Sequence, residues 1–413
     1  MTLFLRYVKM LIDGGYDSRT KQHVRRQKRE AVECEDYDRA AELKALEQQL
    51  QGARQLEDAH ASRAAVRLMA DSDMEESGRE WFQILRKGLL LQPVSDWTAF
   101  LPEVRMDTPW YFGLLAGSSE DPGARREALL SFYIGYSTWD GRCLFLDQLP
   151  EGDEDTEKMY LQILARIALR IGSRRLTWKR RSIPEWYKTG PPEISEGLLV
   201  LRMDRRAMES YAGREPQDLA GGKAFHRAFV EEQVQECLDE RRSSRPNLHI
   251  RLADADSDAE VMARLVRGLA IYTQEPPEAV RCTARDYLVD GGGPTPLYYC
   301  LLIDHIDSST GEKTTCGIAV VYFGYYMKEG RFLYLEDLYV EEAYRSKGAG
   351  STTLRALADI GLRLDCAAFY WLALEWNKPA LEMYTKIAEV QEGLQVHRYT
   401  DEKLAEFAEG LLA

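Results

Sequence analysis

The alternation of apolar and polar positions repeats itself along this chain. "VRLMADSDMEESGREWFQILRKGL" from Val66 matches "IRLADADSDAEVMARLVRGLAIY" from Ile250. Each begins as a short strand ending in Arg-Leu, crosses an acidic turn suited to capping, and enters a helix of 3.6-residue apolar period. "TPWYFGLL" from Thr108 matches "TPLYYCLL" from Thr295. "YIGYSTWDGRCLFLDQL" from Tyr133 matches "YFGYYMKEGRFLYLEDL" from Tyr322, and both read as two strands joined by an Asp-Gly or Glu-Gly turn. "LQILARIALRI" from Leu161 matches "LRALADIGLRL" from Leu354, an apolar helix each time. Matching blocks in one order indicate an internal duplication. Each copy predicts strand, helices, a run of strands, helix and strand: an α/β (α+β) layer of helices on a mixed, mostly antiparallel sheet.

The pattern divides the chain into a helical region over 1–60, a first copy over 61–204, a linker with a charged helix over 205–247, and a second copy over 248–413. Within the first region "RRQKREAVECEDYDRAAELKALEQQL" spaces its apolar residues for a helix, and "ECEDYD" breaks it into a hairpin. A solvated helix pair or short coiled coil fits the same pattern. The opening "MTLFLRYVKMLIDGG" is apolar but too short to span a membrane and lacks a cleavage pattern, so it reads as a packed amphipathic helix.

Composition narrows the function classes modestly. The 413 residues are 45% hydrophobic and 29% charged, an ordinary globular balance. The net charge of −13 disfavours nonspecific binding of nucleic acid. Seven scattered cysteines with no CxxC fit neither a disulfide framework nor a zinc site, so no metal is expected and a cytoplasmic location fits best.

The candidate chemistry lies where the two copies diverge. In the second, "LYLEDLYVEEAYRSKGAG" runs from Leu333 through the acids Glu336 and Asp337 into a glycine-rich basic loop ahead of a helix. Glycines admit close backbone approach and costly dihedrals, and amides at a helix start attract anions. Such a loop alone is weak evidence and is equally consistent with a turn. The acid pair is equally consistent with a satisfied strand end, and Tyr384 with a core aromatic.

Taken with the downstream "ALEWNKPALEMYTKIAE", this stretch resembles the GNAT acetyltransferase superfamily. Within it, the likeness is to the spermidine/spermine (diamine) N-acetyltransferases and the related thialysine acetyltransferases. The resemblance runs from His249 to Phe407. It implies tandem GNAT-type acyl-CoA N-acyltransferase folds and acetyl-CoA as co-substrate. On that resemblance Leu338, Tyr339 and Val340 receive the acetyl-pantetheine arm. Arg345, Ser346, Lys347, Gly348, Ala349, Gly350 and Ser351 hold the pyrophosphate, and Asn377, Lys378, Pro379 and Ala380 form a second cofactor contact. Tyr384 corresponds to the tyrosine that protonates the departing thiolate, with Glu336 as the acid that accepts the amine's proton. A phenol of ordinary pKa roughly 10 is matched to an alkyl thiolate. Tyr272, Glu336, Asp337, Tyr370, Trp371, Leu372 and Glu392 correspond to acceptor-site positions. No cysteine lies in the matched motifs, so the implied transfer is direct. The run "EDYDRAAELK" resembles the UVR helical hairpin, a protein-interaction element.

The acceptor side departs from the family. An acid expected after Tyr272 is Thr273, with Glu275 and Glu278 nearby as substitutes; a family tryptophan is Leu394, and a glycine is Ala388. The first copy carries "PEGDEDTEKM" in place of the loop, and acids there repel a pyrophosphate. It reads as a degenerate, nonbinding GNAT-like domain, with Tyr187 as the counterpart of Tyr384 and Lys179-Arg180-Arg181 as a solvated face or, alternatively, a partner or nucleotide site. The expected activity is an N-acetyltransferase, diamine N-acetyltransferase-like, acting on a primary amine of a small cationic substrate. The alternative is a noncatalytic acyl-CoA-binding or scaffold protein working through its hairpin and first copy. Neither a nucleic acid nor a membrane partner is expected. The two copies are expected to form an intramolecular pseudo-dimer, or the chain a homodimer.

Overall fold

The computed structural model describes residues 65–68, 111–117, 128–149, 154–214, 226–241, 246–292 and 296–410. The helical hairpin expected over 1–60 lies outside the described residues. In the first half the strands are β1 (Ala65–Leu68), β2 (Tyr111–Gly117), β3 (Ala128–Ser137) and β4 (Gly141–Gln148). Helix α1 (Glu154–Arg170), β5 (Arg175–Arg180), a short 3-10 turn (Glu185–Thr189), β6 (Glu193–Ile194) and β7 (Leu198–Asp204) follow. Helices α2 (Arg205–Ala212) and α3 (Arg227–Arg241) lead into the second half. There the order is β8 (Leu248–Leu252), α4 (Ala255–Tyr272), α5 (Ala284–Gly291), β9 (Tyr299–Ile306), β10 (Lys313–Tyr326) and β11 (Gly330–Val340). It continues with α6 (Ala349–Arg363), β12 (Ala368–Leu374), α7 (Lys378–Tyr384), β13 (Glu389–Val390), β14 (Gln395–Thr400) and α8 (Asp401–Glu409).

The predicted hairpin turns form at Gly141 and Gly330, whose φ values of +80° and +94° favour glycine. Two sheets result, in the orders β1-β2-β3-β4-β5-β14-β6 and β8-β9-β10-β11-β12-β7-β13. The orders are equivalent strand for strand, as the duplication requires. In each the pairing is antiparallel except at one step, β4 with β5 and β11 with β12.

One feature of the topology has no local signal. β7, from the first half, pairs antiparallel with β12 of the second, Leu374 opposite Leu198 through Ala368 opposite Asp204. β14, from the second half, pairs with β5 of the first, Gln395 opposite Arg180 through Thr400 opposite Arg175. The halves thus exchange their last strands. The helices follow their strands: Leu404, Phe407 and Ala408 of α8 lie in the first half's core. Met208 and Ala212 of α2 and Val230, Val234 and Cys237 of α3 lie in the second half's core against α6.

A third core joins the halves. Tyr111, Tyr133, Tyr136 and Phe145 from the first half pack with Tyr298, Tyr322, Tyr325 and Phe332 from the second. Ring centroids lie 4.4 Å apart for Tyr136–Tyr298, 5.2 Å for Tyr111–Tyr325 and 5.3 Å for Tyr133–Phe332. The apolar run in β10, Cys316 to Tyr325, is buried on both faces because α6 covers one, and α4 together with the first half's hairpin the other.

Candidate active site

Glu336 sits at a bulge. β10 pairs Val320 with Asp337 and then Val321 with Leu335, so Glu336 is the extra residue of β11. A bulge bends the strand and re-aims the side chain next to it. β11 and β12 pair in parallel only from Phe332–Ala368 to Leu335–Trp371. Beyond that rung the strands part, and the edge of β11 at Leu338, Tyr339 and Val340 has no strand partner there. A backbone edge of this kind is open to an extended ligand arm.

At the mouth of the splay, Ser346 and Gly348 take φ of +59° and +83°. Gly348 caps α6 without any side-chain hydrogen bond, so the first amides of that helix stay unpaired. They fall on Ala349, Gly350 and Ser351, and the Ser351 hydroxyl donates to the Gly348 carbonyl at 3.0 Å. Arg345 donates from Nε to the Val340 carbonyl at 2.7 Å, with its guanidinium 4.2 Å from the centre of the Tyr272 ring. Lys347 donates to the Ala343 carbonyl at 3.1 Å. Asn377 precedes α7, with Lys378, Pro379 and Ala380 in its first turn, and its Oδ1 accepts from the Tyr272 hydroxyl at 3.0 Å. Tyr272, Arg345 and Asn377 are thereby brought together. Uncapped amides and an unpaired strand edge fit the phosphates and the extended arm of coenzyme A.

Tyr384 ends α7, 8% exposed, with its ring edge-on to Trp371 at 5.4 Å. Burial, with lesser effects of Tyr272 and Tyr211, pushes its phenol up to about 12. The group therefore keeps its proton throughout the neutral range. Trp371 lies in the core under α6, while Tyr370 and Leu372, alternating with it on β12, face the core shared with the first half. The structure thus separates Trp371's side chain from Tyr370 and Leu372. Glu392 is exposed on the turn between β13 and β14, its carbonyl accepting from Arg181. Thr273 donates to the Leu269 and Ala270 carbonyls at 3.1 and 3.0 Å, closing the end of α4. Glu275 and Glu278 are exposed.

The acid pair is completed by the first half, which sequence reasoning missed. Thr138, in the turn between β3 and β4, donates its hydroxyl to Asp337, and the Tyr287 hydroxyl donates to the Thr138 carbonyl at 2.7 Å. Arg175 of β5 lies 4.0 Å from Glu336 and 3.2 Å from Asp140. Burial raises the proton affinity of Glu336 most; Asp337's charge adds to this, while Arg175 opposes it. Burial likewise raises Asp337, against the Thr138 hydrogen bond and Arg175. The only sequence hint was the shared hairpin, because nothing marks Arg175 in "RRLTWKR" as a site residue.

In the first half Asp147 occupies the place of Glu336, again at a bulge, since Ser131 pairs with Gln148 and Phe132 with Leu146. Its Oδ2 accepts from the Tyr111 hydroxyl at 2.7 Å, the Ser131 hydroxyl at 3.0 Å and the Met327 amide at 3.0 Å. Tyr187 accepts from Trp178 Nε1 at 3.1 Å.

The splay, the uncapped helix start and the bulge acid define an acyl-CoA-dependent transferase fold, and residues 272–388 match the Acetyltransferase (GNAT) family. The bovine (Bos taurus) thialysine N-epsilon-acetyltransferase is 31% identical over 159 residues, 37% of this chain and 93% of that protein. The chain belongs to the GNAT acetyltransferase family, whose members use acetyl-CoA as co-substrate. The human (Homo sapiens) spermidine/spermine N(1)-acetyltransferase-like protein 1 is 34% identical over 173 residues, 41% of this chain but only 25% of that protein's length. Among solved structures, a tandem GNAT protein from the clavulanic acid biosynthesis pathway aligns over 82% of this chain and 98% of its own, with 14% identity and a TM-score of 0.42. Among the described residues, no helix is long and apolar enough to cross a membrane.

Proposed function

We propose that the second half is an N-acetyltransferase that acetylates a primary amine of a small cationic acceptor, the class containing diamines, polyamines and thialysine. The observations carrying this reading are the bulge at Glu336, the open edge of β11 beyond the last parallel rung, and Tyr384 packed on Trp371 of that rung. Acetyl-CoA supplies an activated acetyl thioester when bound. The amides that open α6, with Arg345 and Lys347 beside them, hold its phosphates, and Asn377 to Ala380 add a second contact. An alkylammonium has a pKa of roughly 10, so the acceptor must lose a proton before it attacks. Glu336 accepts that proton at its carboxylate, directly or through water. Asp337 holds the acceptor's positive charge near it, and Tyr384 keeps a proton on its phenol oxygen for the leaving sulfur. The relatives named for thialysine and for spermidine/spermine support the acceptor class. The strand exchange supports an intramolecular pair of halves as the working unit.

The test is release of free thiol from acetyl-CoA with spermidine, spermine, short diamines, thialysine, lysine and a histone-tail peptide. Turnover with at least one small amine is expected. Tyr384→Phe should slow it by roughly tenfold or more. Binding of acetyl-CoA without turnover of any amine would favour a noncatalytic binding protein instead.

A further inference from the structure

The basic run Lys179-Arg180-Arg181 reads in sequence as a solvated face, and the structure sends its three cations to different places. Arg180 pairs with Glu157 of α1, and Arg181 donates to the Glu392 carbonyl. Lys179 shares a face of β5 with Arg175 and reaches into the second half. Its ammonium lies 5.3 Å from the ring centres of Tyr334 and Tyr370 and 5.9 Å from that of Tyr326. It also donates to the Tyr326 hydroxyl at 3.2 Å.

Three phenol rings around an ammonium make an aromatic cage, a receptor for alkylammonium groups. The walls of this cage are held in place from outside it. The Tyr370 hydroxyl donates to Glu329 at 2.6 Å and accepts from Arg202 Nε at 3.1 Å. Tyr334 stacks on Tyr322 at 4.8 Å, and Tyr326 on Phe332 at 4.3 Å. The cage adjoins the acid pair: Tyr334 stands two positions before Glu336 on β11, and Arg175, on the same face of β5 as Lys179, lies 4.0 Å from Glu336. An acceptor with its reacting amine at Glu336 therefore has this cage within its reach along β11.

We propose that Lys179 is a specificity-determining residue: it fills, from within the chain, the subsite that the far ammonium of a diamine or polyamine would take, so the acceptor site favours amines bearing a single ammonium. A second ammonium must displace Lys179 or sit beside it in a half-buried place, where like charges repel more strongly than in water. Arg175 and Arg202 add positive charge on the same side, partly offset by Glu329 and Asp140. The proposal disfavours diamines and polyamines within the acceptor class proposed above, and rests on the acetyltransferase reading for its catalytic meaning.

Butylamine and 1,4-diaminobutane are matched in length and differ by one ammonium. Titrated calorimetrically into the full chain saturated with coenzyme A, the wild type is expected to hold butylamine at least as tightly as the diamine. Lys179→Met is expected to raise the ratio of diamine to monoamine affinity about tenfold. Lys179→Arg, which keeps a cation in the cage, is expected to stay near the wild-type ratio. A wild type that holds the diamine tenfold more tightly than butylamine overturns the proposal, and so does a ratio that Lys179→Met leaves unmoved. The wild-type comparison needs no variant, so a Lys179→Met chain that fails to fold still leaves a decisive result. Thiol release is read separately: its absence with every amine counts against the acetyltransferase reading, whereas the affinity ratio judges the cage.

Discussion

Glu336 and Asp147 hold equivalent positions, each the extra residue of a bulge, and burial raises the proton affinity of both. What separates them is the supply of donors. Asp147 accepts from Tyr111, Ser131 and Met327, so its carboxylate is committed to the fold. Glu336 faces Arg175 at 4.0 Å and the Ser137 hydroxyl, with its charged neighbour Asp337 beside it. Asp337's negative charge disfavours a second negative charge on Glu336. Asp337→Asn removes that charge, so Glu336 loses its proton at lower pH. The rising limb of kcat/KM against pH is therefore expected to move to lower pH in this variant, measured with one amine throughout. A limb that stays in place would remove Glu336 as the group responsible for it.

At the scale of elements, one loop distinguishes the two halves. The second keeps a left-handed Gly348 at φ +83° as the cap of α6, with no side-chain hydrogen bond to its opening amides. The first carries acids ahead of α1, with Glu154, Asp155 and Glu157 in its first turn. The Glu154 carboxylate accepts from the Glu185 and Trp186 amides at 3.0 and 3.1 Å, so the start of α1 is tied to the neighbouring 3-10 turn. Adding a Cβ to a residue in the left-handed region costs about 1–2 kcal/mol. Gly348→Ala is thus expected to weaken coenzyme A binding by about tenfold, since 1.4 kcal/mol is one decade. Equilibrium titration with coenzyme A reads this directly, and unchanged affinity would show that the loop does not cradle the phosphates.

At the scale of the molecule, the exchange of β7 and β14 makes each sheet depend on both halves. Gly135 shows how close they come: a Cβ there would meet Phe145 and Tyr322, one ring from each half, at 2.8 Å. Separating the halves would strip β12 and β5 of a strand partner and expose the tyrosine-rich core between them. Calorimetric unfolding is accordingly expected to show a single transition for the two sheets. Two resolved transitions would mean that the exchanged strands do not couple them.

The duplication, the hairpins, the glycine-rich loop and the place of Glu336 were legible in the sequence. Each rests on local periodicity or on the dihedral demands of a few glycines, and local patterns survive in a linear string. The pseudo-dimer was expected from the family resemblance, but which strands the halves exchange was not legible, because β14 and β5 are equally strand-forming whether they pair with each other or within their own halves. Nor was the contribution of the first half to the surroundings of the acid pair. Thr138, Arg175 and Lys179 belong to the first copy, whose sequence carries acids where the second has its glycine-rich loop. Only the packing of one sheet against the other brings the first two to the acid pair and the third into a cage of tyrosines. The amino-acid order by itself determined which half carries the glycine-rich loop and matches the GNAT family. Tertiary structure decided which cations reach the acid pair and the tyrosine cage, because charge acts through space and not along the chain.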